Sequence, residues 1–430
     1  MQRVLKWSGL FALTLPIHLV LVLAYIGVPR PPAISAEGVG RVGWQPVLDN
    51  AGQLWRTQES RSLVTWMPDG SGVLVRARRW LLDSRLHTLS HAAADPVFLP
   101  ELPRNVAGIY GDPGRDYLIL GWDTDGDEQH RMYRWDLDGA DPVLLTTDSE
   151  RVGFGAFEPD GARIAYTSTR RNGADFDVYV MDPTDPKSDA RVLEVEGSWS
   201  VAGWAPENDQ LLLVHVSSSA VNALYMFDLD SGTLEPVAAA GSADEDDVRH
   251  GAPQWSRDGS ALYYTSDRGT EFMQLRRLDL GTGEEAVLSE EIPWDVSSVQ
   301  QSGDGALLLL EVNEDGATRY YTTDALGEGM HPLDLFSSGQ FAATLHPTEP
   351  LLLVNHADGD GVARGFVYDL SRDKLTLWAG PSPSESVVLE ARTVRYPTFD
   401  EVDGEPRRSV SWTAVNTVKE TRVSCGIYAR

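Results

Sequence analysis

The chain has 430 residues, 42% of them hydrophobic, with 64 acidic against 36 basic side chains and a formal net charge of −28. That length allows one large or two ordinary domains, and so acidic a balance argues against nucleic-acid binding, which needs a basic face. The one cysteine, Cys425, rules out an internal disulfide and sits near the terminus with no histidine partner motif to make it a nucleophile.

The first predicted element is Trp7 to Val28, a largely apolar run of 22 residues without a formal charge. As a helix it would span about 33 Å, enough to cross a bilayer core. Arg3 and Lys6 precede it, which favours a cytoplasmic N-terminus, and Pro16 and His18 interrupt it. Ile34-Ser35-Ala36 resembles a signal cleavage site but follows Pro29, Pro31 and Pro32 and an overlong apolar run, so an uncleaved anchor is favoured. Residues 1–36 are therefore read as a signal or anchor segment, with the rest of the chain extracytoplasmic, on the periplasmic side.

From Trp66 onward a unit recurs: an aromatic or apolar residue, a tight turn and a short apolar strand. Seven starts align without gaps, at Trp66, Tyr110, Phe157, Trp204, Trp255, Gln301 and Leu345, spaced by 44, 47, 47, 51, 46 and 44 residues. Seven residues after each start lies an apolar strand position: Val73, Tyr117, Ile164, Leu211, Leu262, Leu308 and Leu352. In Pro68-Asp69-Gly70 and its counterparts, proline presets one turn dihedral and glycine supplies a positive one. Asn208 stands where others have glycine and can take the same left-handed conformation. Third strands follow, such as Val178-Tyr179-Val180-Met181 and Leu224-Tyr225-Met226-Phe227, then an acidic turn and a short fourth strand such as Ala286-Val287-Leu288.

Four strands in 44 to 51 residues is the size of one propeller blade. A lone blade cannot bury both faces, so the units pack side by side, and seven close a ring that removes exposed sheet edges. A β-sandwich gives no reason for the period. The expected fold is all-β: a seven-bladed propeller over 37–387, preceded by one transmembrane or signal helix. The first unit is the weakest, because strand signals from Arg76 to Leu99 are irregular, and the sixth has the polar Gln301 at its start.

The repeat resembles the WD-like propeller repeat of Tol-system periplasmic propellers and of the prolyl oligopeptidase and dipeptidyl peptidase family, most clearly at Thr265-Ser266-Asp267-Arg268-Gly269. Residues 123–133 look like the peptidase family's second-blade segment and residues 167–179 like its third. The resemblance covers Gly43 to Trp412. Val394 to Asp400 resembles the first strand of that family's α/β-hydrolase domain, which carries a Ser, Asp, His triad. Here only 18 residues follow Trp412 and no G-x-S-x-G elbow occurs. Residues 388–430 are read as the remnant of such a domain, from an early stop, a shifted frame or a natural short form, poorly ordered or loosely packed without its parent sheet.

Candidate sites are few. Asp123, Asp125 and Asp127 alternate as calcium ligands can, but the sixth loop position is Glu128 and the twelfth Arg134, so the match fails and an acidic hairpin turn is the better reading. Asp244-Glu245-Asp246-Asp247, followed by Arg249 and His250, lies in the longest gap and reads as a solvated loop. Arg170 and Arg171 face either the ring mouth or solvent. His87, His91, His130, His215, His331, His346 and His356 show no metal-ligand spacing. No catalytic, cofactor-binding or metal-binding residue is assigned. The resemblance implies a propeller that restricts access to a peptidase and selects peptides, inert by itself, with a peptide or protein ligand at the ring face and the membrane as a second partner. The alternative is a free-standing periplasmic protein-binding propeller similar to the Tol-system component. A hydrolase built on propeller-face carboxylates finds no paired constellation.

Overall fold

The structure is a computed structural model. It describes residues 59–381 except 80–82, 100–105, 124–126, 128, 138–140, 147–150, 160, 238–247, 315–316, 338 and 358–361, together with 390–395, 409–417 and 420–425. The predicted anchor segment, residues 1–36, lies outside the described residues; among the described residues no helix is long and apolar enough to cross a membrane.

Seven four-stranded antiparallel sheets follow one another, each with its strands in chain order or its exact reverse as the sheet is traversed. These are the blades. Their first strands are Glu59–Trp66, Val106–Tyr110, Val152–Phe157, Ser198–Trp204, His250–Trp255, Asp295–Gln301 and Gln340–Leu345. Each ends on the residue that opens a repeat in the sequence, so the repeated turn joins first strand to second. Trp66 pairs with Val73, Phe157 with Ile164, Trp204 with Leu211, Trp255 with Leu262, Gln301 with Leu308 and Leu345 with Leu352. Blade 2 differs: Tyr110 pairs with Ile119. Its turn has Pro113 directly before Gly114, and it is wide enough for the Gly114 amide to donate to the Pro68 carbonyl of the blade 1 turn at 2.9 Å. Asn208 takes φ 65°, matching Gly70 at 71° and Gly259 at 72°.

The second strands are buried on both faces, as in Ile164–Ser168 and Ala261–Ser266. Alternate side chains point to opposite neighbours, and the apolar ones gather into seven clusters, one per seam. The seam between blades 3 and 4 joins Ala165, Val178 and Val180 to Trp199, Val201, Leu211 and Leu213. Truncating one such buried leucine to alanine costs about 2–5 kcal/mol. The fourth strands form the perimeter: Val97–Phe98 and Val143–Leu144 are exposed. First strands of successive blades touch one another and are half-buried, as expected of strands with one face towards an axial channel. Six of the seven carry a register shift against their second strands. Such bulges increase local twist; blade 7 pairs without one.

Ring closure exchanges no strand. Blade 1 is built from Glu59 to Phe98 and blade 7 from Gln340 to Ala379. The closing seam buries Leu63, Val73 and Val75 against Leu353, Val367 and Ala379. Asn355 clasps it: its Oδ1 accepts from the Leu63 amide at 2.7 Å and its Nδ2 donates to the Leu63 carbonyl at 2.8 Å. A Cβ on Gly365 would lie 2.5 Å from Leu63 Cγ, so only glycine admits this approach. Asn222 clasps His250 across the seam between blades 4 and 5 in the same reciprocal way, at 2.7 Å each. Gln301, the polar exception among the starts, is buried, and its Oε1 accepts from the Arg257 amide of blade 5 at 2.8 Å. Its polarity serves the seam.

Beyond the blades, Glu390–Arg395, Ser409–Thr417 and Glu420–Cys425 form a separate three-stranded antiparallel sheet. The strand likened to the start of a hydrolase domain therefore finds a partner: Val394 pairs with Val410 and Arg392 with Trp412. Cys425 ends the last strand, opposite Trp412.

Candidate functional site

Most of the sequence candidates are absorbed by local structure. Arg170 pairs with Asp189 of the fourth strand of its own blade and lies 3.7 Å from the Tyr179 ring centroid. Asp189 also accepts from the Tyr166 hydroxyl at 2.7 Å. Arg171 bonds the fully buried Asp177 at 2.7 Å and Asp175 at 3.2 Å. Both arginines brace blade 3. Asp127 accepts from the Gln129 amide at 3.0 Å and pairs with Arg131 at 2.9 Å, which makes an acidic turn; Asp125 lies outside the described residues. The run 244–247 also lies outside them.

The histidines are dispersed among structural roles. His346 accepts from the Thr348 and Glu349 amides at 3.1 and 2.9 Å and meets Trp66 edge-on. His215 stacks on Trp199 and His356 on Phe336. His331 bonds Thr322 and the Gly329 carbonyl, and His87 packs against Phe98. His91 accepts from the Ala93 amide on the surface. Among the described residues no three metal-ligating side chains converge.

Blade 5 repeats the brace of blade 3. Tyr264, Ser266 and Arg268 occupy the places of Tyr166, Ser168 and Arg170, and Glu285 that of Asp189. Glu285 accepts from Tyr264 and Arg268, and from Arg276 at 2.7 Å. Burial opposes its ionisation, but these three donors outweigh it and hold the carboxyl below its ordinary value. Burial pushes the Tyr264 phenol up, helped by that carboxylate. Beside them His250 is buried, and burial with the Arg268 charge lowers it to about 4.

The residues left for a ligand are elsewhere. A cavity of about 570 Å³ opens at the end of the ring where first strands begin, between blade 1 and the first strand of blade 2. Ser60, Ser62, Arg76 and Arg78 of blade 1 line it, with Ala107 and Ile109 of blade 2 opposite. Ser62 pairs with Arg76 and Ser60 with Arg78, so all four share one face of the blade. The same face carries Leu74, packed on Leu118 and Leu120, at the far end. Arg76 donates one long bond, 3.3 Å, to the Val106 carbonyl, and the Ser60 hydroxyl accepts from the Ala363 amide of blade 7 at 3.3 Å. Burial, then the nearby Arg78 charge, lowers the Arg76 guanidinium pKa. Among the described residues neither arginine is bonded to a carboxylate. Sequence reasoning missed this pair. Its signal was the apolar-to-basic switch on alternate positions, Leu74, Arg76 and Arg78, which registered only as irregularity in the first unit.

A second cavity of about 410 Å³ lies between blades 2 and 3, lined by Asp116, Arg134, Asp136 and Thr184. Its arginine is engaged, with Asp136 at 2.8 Å and the Pro183 carbonyl at 2.6 Å.

Comparison with known proteins places this architecture. The TolB β-propeller domain family matches residues 120–362, more than half of the chain. Among solved structures, a prolyl endopeptidase from a study of inter-domain dynamics in two such enzymes is similar with a TM-score of 0.67 at 12% identity, over 88% of this chain and 57% of its own. Prolyl oligopeptidase B from Galerina marginata is similar without ligand, with a TM-score of 0.66 at 12% identity over 87% of this chain and 59% of its own. Bound to a 35-residue substrate it is similar with a TM-score of 0.65 at 13% identity, over 86% and 58%. At such identities the likeness is one of fold, and the chain spans less than three fifths of the length of these structures.

Proposed function

This chain belongs to the TolB β-propeller domain family, and on that premise we propose that its ring is a binding module for peptide or protein segments, received at the mouth that bears the blade 1–2 cavity. The observation that carries this reading is the cavity itself. Among the described residues it brings together side chains capable of polar recognition that no carboxylate neutralises. In one version the ring acts as the propeller of a peptidase similar to prolyl oligopeptidases, gating and selecting peptides for a catalytic domain. The likeness to prolyl oligopeptidase propellers supports it. In the other it is a periplasmic protein-binding propeller, which the TolB-family match supports. Both place it extracytoplasmically, held or exported by residues 1–36.

Photo-crosslinking tests the shared core of the two readings. A benzophenone-bearing, proline-containing octapeptide should label residues 60–64 and 106–109. Labels confined to the perimeter strands Val97–Phe98 and Val143–Leu144 would contradict it. The 430-residue chain supplies no G-x-S-x-G, so it should not turn over a proline-type chromogenic peptide; turnover abolished by a serine-directed inhibitor would overturn that expectation. The genomic frame beyond codon 430 separates the two versions: an open frame encoding G-x-S-x-G supports the peptidase, and its absence the binding propeller.

A further inference from the structure

Charge accounting sets blade 1 apart. The chain carries 64 acidic residues against 36 basic ones, and many arginines of the ring are engaged by carboxylates, while Arg257 is held by the Gln301 and Ser302 carbonyls. Arg115 holds Asp112, Arg131 Asp127, Arg134 Asp136, Arg163 Glu158, Arg170 Asp189, and Arg268 and Arg276 share Glu285. In so acidic a molecule an arginine finds a carboxylate easily. Arg76 and Arg78 instead stand two residues apart on one strand face, about 6.6 Å by strand rise, with neutral Ser60 and Ser62 opposite them. Two like charges this close repel, and the half-buried Arg76 also bears a desolvation cost. Among the described residues no carboxylate offsets either cost. Position reinforces the point. Counting from the repeat start, Arg76 is the equivalent of Asn355, which clasps the next blade with two bonds of 2.7 and 2.8 Å. Arg76 makes one bond of 3.3 Å to its next blade and keeps its remaining donors for the cavity.

We propose that Arg76 and Arg78 form a carboxylate-binding site on the wall of the ring mouth, which anchors an extended peptide by its C-terminal carboxylate or by an acidic side chain. The guanidinium forks present paired N–H donors in the geometry a carboxylate accepts. The Ser62 hydroxyl adds a neutral donor, and Ala107 with Ile109 gives an apolar wall for the adjoining residue. A volume of about 570 Å³ admits one to three residues of a peptide rather than a folded domain. The site would also solve a selection problem. A ring with a net negative chain repels acidic peptides in general, and one basic patch at the mouth admits them in a single orientation.

This inference rests on the peptide-binding reading, and the test separates the two. Three dye-labelled heptapeptides are titrated by fluorescence anisotropy: alanine ending in a free carboxylate, the same ending in an amide, and the amide with aspartate at its fourth position. The full chain is compared with Arg76→Gln, Arg78→Gln and Arg78→Lys, after equal melting temperatures show that each is folded. The free-acid peptide should bind at least ~10-fold more tightly than the plain amide, the gap closing in either glutamine variant. Arg78→Lys should keep part of it, and raised salt should narrow it. Restored affinity in the aspartate amide supports the site with a side-chain carboxylate as its ligand. Equal binding of all three peptides, unchanged in the glutamine variants, overturns the carboxylate site and leaves peptide binding standing. If no peptide binds, calorimetry with succinate decides: heat lost in Arg76→Gln keeps the site and removes the peptide reading, and no heat overturns both.

Discussion

In blades 3 and 5 an arginine from the loop after the second strand turns back onto a fourth-strand carboxylate that also receives a tyrosine hydroxyl. In blade 1 two arginines sit on the second strand itself, facing a cavity, with serines across from them. The residue type is the same and the net result is opposite. The blade 3 and blade 5 arginines are neutralised inside the sheet; those of blade 1 add charge beside a cavity. Folding accounts for the first set and not for the second. That difference is the reason to assign recognition to blade 1.

The comparison is broken most forcefully at Glu285. Glu285→Gln leaves Arg276, itself buried, with Arg268 and Tyr264 around a neutral amide. Breaking a buried pair in this way costs about 3–5 kcal/mol; urea unfolding should show it, and a loss below 1 kcal/mol would mean that the brace is not structural. The next effect is on pH. His250 faces Arg268, Arg276, Asp267 and Glu285 and is held near 4 in the folded chain, against an ordinary value of 6.5. The folded state then binds fewer protons than the unfolded chain between those values. The His250 contribution should be constant above pH 6.5, fall by on the order of 2–3 kcal/mol as pH drops to 4, and level off below. His250→Gln should flatten that window while leaving the separate loss below pH 4.5 that comes from Glu285, whose carboxyl is held down. Melting curves at half-unit pH steps check both.

Asn355→Ala opens the closing seam without touching either set of arginines. It strands the Leu63 amide and carbonyl, and about 2 kcal/mol should be lost, read by thermal unfolding. The smallest effect is the sharpest for the comparison. Arg76→Gln and Arg78→Gln should each change stability by less than about 0.5 kcal/mol, or raise it, because they relieve repulsion and remove no ion pair. A loss like that at Glu285 would return blade 1 to the structural class.

The ring was legible in the sequence because turn chemistry is local. Each start, the glycine or Asn208 of the first six turns, and the apolar step seven residues later are set by backbone sterics and strand alternation within ten residues, and all seven blades appear where that pattern puts them. The blade 2 offset was not legible, because exchanging Pro and Asp in the turn, Asp112-Pro113 for Pro68-Asp69, lengthens it by an amount no spacing shows. Gln301 looked like a defect and is a seam contact, since its partner, Arg257, is 44 residues away. Arg170 was ambiguous for the same reason: its partner Asp189 lies on another strand. Arg76 and Arg78 were hidden by the blade count itself. Their significance depends on which neighbour a strand face meets and on the lack of a carboxylate among the described residues, and neither is a property of one segment. The anchor segment 1–36 falls outside the described residues and stands as proposed.

Hydrogen–deuterium exchange with and without the free-acid heptapeptide tests most directly whether blade 1 is the recognising blade. Saturating peptide should slow exchange in 60–64, 74–78 and 106–109 and leave 164–171 and 262–268 unchanged. Protection confined to blades 3 and 5, with none at the blade 1–2 mouth, would contradict the account.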